Sequence, residues 1–259
     1  MIPKKIHYCW LSEEPIPAKF MNYIENWSRV MPDYEIIRWD THRFDIHSSK
    51  WVEDAYNNRK WAFASDYIRA YALYNEGGFY LDTDVIVNDR FDDYLNCGFV
   101  SSIECNPKRW KQVSGQTDKD GHRLPDVERV MGFGIQAAII GCVPGHRFVK
   151  MLLDYYDSRT FFDGQKFDML PAPYVYAQLL ETQGLVFEDR KQILADDICL
   201  FRSNVFSDYQ SCDLNSKYIH MCAGSWVDSK SGFKTRVIKS MLFVRKLFNS
   251  ISYRLTDKG

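Results

Sequence analysis

Apolar positions change period several times along the chain, and each change marks a predicted element. Ile6, Tyr8 and Trp10 alternate, which predicts a first strand over 2–10 with those three side chains on one face. The prolines and glutamates of 11–17 read as loop. Phe20, Tyr23, Ile24 and Trp27 recur at three- and four-residue spacing and predict a helix over 18–30, stopped by Pro32 and Asp33. A strand over 34–39 follows, so the chain opens as a βαβ unit. Residues 44–58 predict a further helix and loop. Ala62, Ala64, Ala70, Ala72 and Leu73 then suit a helix, and Gly77 with Gly78 supply its C-terminal cap. Residues 79–87 turn apolar and β-branched and read as a single strand. After a polar turn at 88–96, 99–103 and 131–143 read as strands and 147–156 and 171–181 as helices. Short late strands are predicted at 186–187 and 198–201. Between them, 104–129 is rich in charge and glycine and is predicted as a long loop, either a lid or a plain excursion. Strands alternating with helices place the chain in the α/β class.

Composition narrows this picture. The chain has 259 residues, 46% of them hydrophobic, enough for one sizeable domain with its own core. A net charge of −1 excludes a nucleic-acid binder that works through overall charge. Aromatic residues make up 15%; many must be core, although sugar-handling proteins also expose Trp and Tyr as platforms. The seven cysteines are odd in number, scattered and without a C-x-x-C pair, which points to reduced thiols and a cytoplasmic setting. The opening MIPKKIHYCW carries no apolar signal-peptide core, and no apolar run reaches the ~18 residues of a spanning helix.

The chemistry concentrates in 61–87. Asp82 and Asp84 are two residues apart, so on an extended chain both point to one face. Two adjacent carboxylates repel unless a cation lies between them, and a divalent metal with phosphate oxygens is the natural guest. Asp66 and Arg69 lie one helical turn apart on the preceding helix, and the glycine turn folds their face back toward the strand. Such a site suits a metal with a phosphorylated or polyhydroxylated ligand, Arg69 donating a planar fork to phosphate or sugar hydroxyls and Asp66 accepting from sugar hydroxyls. Tyr80 is a candidate hydroxyl donor to a diphosphate. A lone D-x-D is common and weak; the whole string S-D-x-x-R-x-x-x-L-x-x-x-G-G-x-Y-x-D-x-D is far more specific.

With that string the sequence resembles the glycosyltransferases of the DXD sugar-binding region, a group that includes fungal Golgi mannosyltransferases and bacterial capsule and lipopolysaccharide transferases, with a core shared by the large glucosylating toxins. The resemblance runs from Ile2 to about Trp226. It implies a GT-A type, Rossmann-like single-domain fold with a mixed central sheet over 1–228. It implies a UDP- or GDP-linked sugar as donor, a free or lipid-linked saccharide as acceptor, Mn²⁺ or Mg²⁺ as cofactor, and retention of anomeric configuration. Trp10 matches the family's I-P-K-x-I-H-x-x-W, whose Trp stacks on the nucleotide base. Gln136 stands where the family has Asn, in a strand that faces the sugar and is followed by the matching Pro144, Gly145 and His146. The block YIHMCAGSW supplies His220 as a nitrogen ligand completing a metal shell with Asp82 and Asp84, and Ser225 and Trp226 as a closure over the diphosphate.

From Lys234 the composition shifts. Val237, Met241, Val244, Phe248, Ile251 and Leu255 form a helical stripe among basic residues, so 229–259 reads as a basic amphipathic helix. Residues 234–255 either lie on an anionic bilayer surface or pack on their own domain. Two rival functions remain open at this point: a phosphohydrolase of the haloacid dehalogenase type, which also places D-x-D after an apolar strand, and a non-catalytic sugar-binding module.

Overall fold

The computed structural model describes residues 1–106, 109–110, 115–213 and 216–223, and its elements lie in one unit, Met1–Met221. Ser225, Trp226 and the predicted tail helix lie outside the described residues.

The opening βαβ unit forms as its pattern predicts. Strand β1 (Lys5–Cys9) is followed by helix α1 (Ala18–Val30) and strand β2 (Glu35–Trp39), which pairs with β1 in parallel, Ile6 opposite Ile36. Helix α1 buries Phe20, Ile24 and Trp27, the stripe its spacing marks. A short helix α2 (Lys50–Asn57), capped by the Ser49 hydroxyl, leads into α3 (Trp61–Glu76). Helix α3 is buried from Phe63 to Ala70 and again at Ala72 and Leu73. It is therefore a central packing element rather than an amphipathic surface helix, and its alanines let neighbouring elements approach closely.

Strand β3 (Gly78–Leu81) returns beside β1, in parallel. The central sheet then runs β2-β1-β3-β7-β5-β9-β8, built from β5 (Phe99–Cys105), β7 (Ile139–Cys142), β8 (Gln192–Leu194) and β9 (Ile198–Phe201), with β6 (Phe133–Ile135) paired to β5. It is mixed: β7 is antiparallel to both β3 and β5, while β5 and β9 are parallel. Helices α4 (Arg147–Asp157) and α5 (Ala172–Glu181) complete the α/β arrangement. A second sheet, β10-β11-β4, joins β4 (Val85–Val87), β10 (Phe206–Asp208) and β11 (Tyr218–His220).

Three expectations need correction. The apolar run 79–87 is not one strand: it breaks at 82–84 into β3 and β4, which belong to different sheets. The run 131–143 likewise splits into β6 and β7 around Gln136, whose N–H donates to the Ser102 carbonyl. Residues 186–187 are not a strand; the Gln192 side chain ties down the Val186 N–H and carbonyl, and pairing shifts to β8. In each case period alone cannot show where an apolar run changes partner. Among the described residues no helix is long and apolar enough to cross a membrane.

Gly141 in β7 shows how closely this sheet is packed. A Cβ there would lie 2.6 Å from the Phe79 ring and 3.1 Å from Val100. Phe79 cannot yield, because it is fully buried and stacked on Phe91 at 4.3 Å between ring centres. Gly141→Ala is expected to lower unfolding stability by about 1–3 kcal/mol, read from the urea midpoint at unchanged slope.

Candidate active site

The site is built where α3, the β3–β4 turn and β11 meet. Helix α3 ends as the Gly77 N–H donates to Leu73 O at 2.9 Å, and Gly77 and Gly78 both take positive φ, +63° and +101°. The turn lies hard against β1: a Cβ on Gly78 would stand 2.8 Å from the Lys5 carbonyl oxygen. The ring of His7, fully buried, bonds the Gly77 carbonyl at 2.8 Å and accepts from the Trp39 indole at 3.0 Å, the satisfied strand-interior role its position suggests.

Asp82 and Asp84 converge through a turn, not through strand alternation. The Val85 N–H donates to Asp82 O and the Asp82 N–H donates to Ala138 O, each at 3.0 Å. Beyond the turn, β4 is fixed to α1, since Trp27 and Asn26 donate to the Val85 and Val87 carbonyls at 2.9 and 2.6 Å. Strand β11 pairs antiparallel with β4, His220 opposite Val85, and the Met221 N–H donates to Asp84 O. Residues 136 positions apart in sequence thus meet: His220 Nε2 lies 3.2 Å from Asp84 Oδ1 and 3.8 Å from Asp82 Oδ2. One ligand atom from each of Asp82, Asp84 and His220 falls within 4.8 Å of the others. Two carboxylates and an imidazole are a donor set acceptable to Mn²⁺ or Mg²⁺, with the nitrogen favouring the former. The residues present therefore fit a divalent cation.

Arg69 and Asp66 lie behind this trio. The Arg69 guanidinium is buried, 3.0 Å from Asp66 Oδ1 and 3.4 Å from Asp82 Oδ1. It also donates to Ala137 O at 2.7 Å and to Ser65 O at 3.3 Å, and it lies 4.7 Å over the Tyr80 ring. Burial works against its charge, but Asp82, Tyr80 and Asp66 outweigh that and hold its pKa well above the usual value. Burial pushes the Asp66 carboxyl up to about 7 against the pull of Arg69. This placement makes Arg69 an internal brace on Asp82 and on the 137–138 backbone, rather than a fork held open toward a ligand.

The remaining expected residues are more dispersed. Tyr80 is fully buried, its hydroxyl against Cys9. Gln136 is 1% exposed; its Oε1 accepts from Ala138 N, while its Nε2 has no partner among the described residues. Trp10 lies past the end of β1, partly exposed, with its indole N–H on Glu14 O and its ring tilted against Phe20. Asp40 caps its own turn through the His42 and Arg43 N–H groups.

Two acids near the cation site escape a reading by motif. Asp208, opposite His220 in the β10–β11 pairing, is satisfied by the Gln210 and Ser211 N–H groups. Glu104, at the end of β5, is partly buried; burial first, then Asp208 and Asp82 push its carboxyl up to about 7, with His220 acting in opposition. The available signal was an acid one residue before the end of the FVSSIEC strand.

Comparison with known proteins bears on this geometry. Residues 17–99 match the family described as "Glycosyltransferase sugar-binding region containing DXD motif", a span that holds Asp66, Arg69, Asp82 and Asp84. The match covers about a third of the chain. It shares 32% identity over 99 residues with Inositol phosphoceramide mannosyltransferase 3 of Schizosaccharomyces pombe, covering 37% of this chain and 28% of that protein. It shares 30% over 105 residues with Uncharacterized glycosyltransferase L373 of Acanthamoeba polyphaga mimivirus, covering 38% and 42%. The chain thus spans less than half the length of these relatives. In structure it is similar to the PaToxG Glycosyltransferase, with a TM-score of 0.51 at 18% identity over 70% of this chain and 69% of that one. The fold is of the GT-A type, with the mixed central sheet that the DXD resemblance implies. The matches do not favour the phosphohydrolase reading.

Proposed function

We propose that this chain is a glycosyltransferase that moves a sugar from a nucleoside-diphosphate sugar to a saccharide acceptor. The observation that carries this reading is the convergence of Asp82, Asp84 and His220 at the end of a DXD region. Those three would hold the divalent cation, which when bound withdraws charge from the departing diphosphate. The chain's own contribution is placement. Arg69 braces Asp82 from behind through Asp66 and the Ala137 carbonyl. The β4–β11 pairing sets His220 opposite the turn. Trp10 offers a partly exposed ring for a nucleotide base, on the pattern of the family it resembles. Holding donor and acceptor in one geometry supplies several kcal/mol of barrier reduction.

Finer features belong to the same reading. Retention of configuration, with the acceptor hydroxyl attacking on the leaving-group face, follows the transferases the chain resembles. So does an acceptor of the capsule, exopolysaccharide or lipopolysaccharide repeat-unit kind, met at the cytoplasmic face of a membrane. One relative's name as a mannosyltransferase brings GDP-mannose onto the list of donors beside the UDP-hexoses.

The test is a screen of those nucleotide sugars with Mn²⁺ and with Mg²⁺. The expected result is a rise in melting temperature that needs cation and nucleotide together, followed by slow cation-dependent release of nucleoside diphosphate from one donor. Saccharide binding with neither cation dependence nor turnover of any donor would replace the enzyme with a sugar-binding module.

A further inference from the structure

The last two side chains of β5 face opposite ways. Ser102 Oγ accepts from the Phe206 N–H at 3.0 Å, so the face of β5 shared by Ser102 and Glu104 is turned to β10, the side of Asp208 and His220. Cys105 is the next residue and faces away from them. It opens on a cavity of about 380 Å³ whose lining takes in no residue of the cation site.

Three aromatic rings wall this cavity. Phe133 stands between Trp110 and Phe187, with ring centres at 6.0 and 5.1 Å and planes inclined at 51° and 67°. Each ring is fixed by its backbone. Phe133 pairs with Cys105 across the β5–β6 ladder. The Phe187 N–H donates to the Gly121 carbonyl at 2.7 Å, which seats the turn around Gly121 against the cavity. The Trp110 N–H donates to Asn106 O at 2.9 Å, and the chain at Gly132 passes so close that a Cβ there would stand 2.7 Å from that nitrogen.

The charges around the rings are mostly negative. Asp118, Glu188 and Asp189 line the cavity against a single lysine, Lys119. Each acid already accepts from the protein: Asp118 from the Asp120 and His122 N–H groups, Glu188 from Arg190, and Asp189 from the Ser203 N–H and hydroxyl. They give the cavity a negative field while their best hydrogen bonds are spent elsewhere. Inclined π faces in a negative field select a cation. A primary ammonium brings three N–H donors that each want an acceptor. A quaternary ammonium brings none and presents methyl groups to the rings, so it is the better match. Lys119, exposed and in no ion pair with any described residue, is the lining charge that works against it.

We propose that this cavity binds a quaternary ammonium group, held among Trp110, Phe133 and Phe187 with its charge balanced by Asp118, Glu188 and Asp189. The site lies apart from the cation trio, so binding needs neither divalent metal nor nucleotide, and its failure is separate from any failure of the transferase reading. The same group occurs free, as in choline, and on a lipid headgroup, as in phosphatidylcholine.

The test is titration of the full chain, without metal or nucleotide, with choline and with its neutral isostere 3,3-dimethyl-1-butanol, followed by saturation-transfer NMR on the methyl signals. Choline is expected to bind about tenfold more tightly than the isostere. Phe187→Ala is expected to abolish that preference. Lys119→Glu and Glu188→Lys change exposed positions and leave the fold in place, with the urea midpoint as the control. The first is expected to tighten choline roughly threefold and the second to weaken it by a similar factor, both less so in high salt. Co-sedimentation with phosphatidylcholine vesicles that free choline competes away would assign the group to a headgroup; choline binding without co-sedimentation would assign it to a free ligand. Equal affinity for choline and the isostere would reduce the cavity to an apolar gap and overturn the proposal. So would choline binding that neither charge variant moves, since the ligand would then lie elsewhere. Absence of saturable choline binding up to about 10 mM would overturn it as well.

Discussion

Asp84→Asn is expected to lower cation-dependent turnover of the donor by about 10³-fold while leaving the chain folded. The substitution preserves shape and keeps one oxygen acceptor, so the turn survives: its backbone bonds, from Val85 N to Asp82 O and from Met221 N to Asp84 O, do not involve the side chain. What disappears is a negative charge 3.2 Å from His220 Nε2, the shortest contact in the trio. A cation held by one carboxylate, an imidazole and a neutral amide is held far more weakly than one held by two carboxylates. The rise in melting temperature with Mn²⁺ and nucleotide should vanish in parallel with the rate. Without metal, the variant should stay close to wild type in stability, because relief of repulsion between two neighbouring acids is set against loss of the charge beside His220. Turnover near the wild-type rate, with an intact Mn²⁺ response, would remove the cation from the mechanism.

Much of this site was legible in the sequence because its parts are local. The α3 helix, the Gly77–Gly78 stop and the acids at 82 and 84 lie within one continuous string, and helical and turn spacing fix how they can meet. His220 was legible only through resemblance to a known family, since its neighbour is chosen by the pairing of β11 with β4 across more than a hundred residues. Two details failed for physical reasons. Val85–Val87 looks like a continuation of β3, yet it leaves the central sheet for the second one, because Trp27 and Asn26 of α1 capture its carbonyls. Tyr80 looks like a cleft residue by its nearness to Asp82, but the fold buries its ring in the core against the Arg69 guanidinium. Glu104 could not have been picked out by motif, because what distinguishes it is burial beside Asp208, and that is a property of the folded chain.

Arg69→Ala carries the second large effect, this time on stability. The guanidinium is the cation that faces both Asp66 and Asp82, and removing one member of a buried pair leaves the other as an uncompensated charge, at a cost of about 3–5 kcal/mol. The loss should depend on pH in a defined direction. The Asp66 carboxyl sits at about 7 in the fold, above the ordinary carboxylate value of about 3.9. The folded chain therefore retains a proton that the unfolded chain releases, and stability falls as pH rises from about 4 through about 7, with the full penalty present above that window. Arg69 offsets part of the penalty whenever Asp66 is ionised; without it the whole penalty stands. The gap between wild type and Arg69→Ala should accordingly be small near pH 5 and widest at pH 8, by urea denaturation at each pH. Adding Asp66→Asn should return much of the loss at pH 8 and little at pH 5, the signature of coupling between the two side chains. A deficit that stays constant across this range would instead trace the loss to missing contacts with Tyr80 and the Ala137 carbonyl, and the brace on the acids would have to be given up.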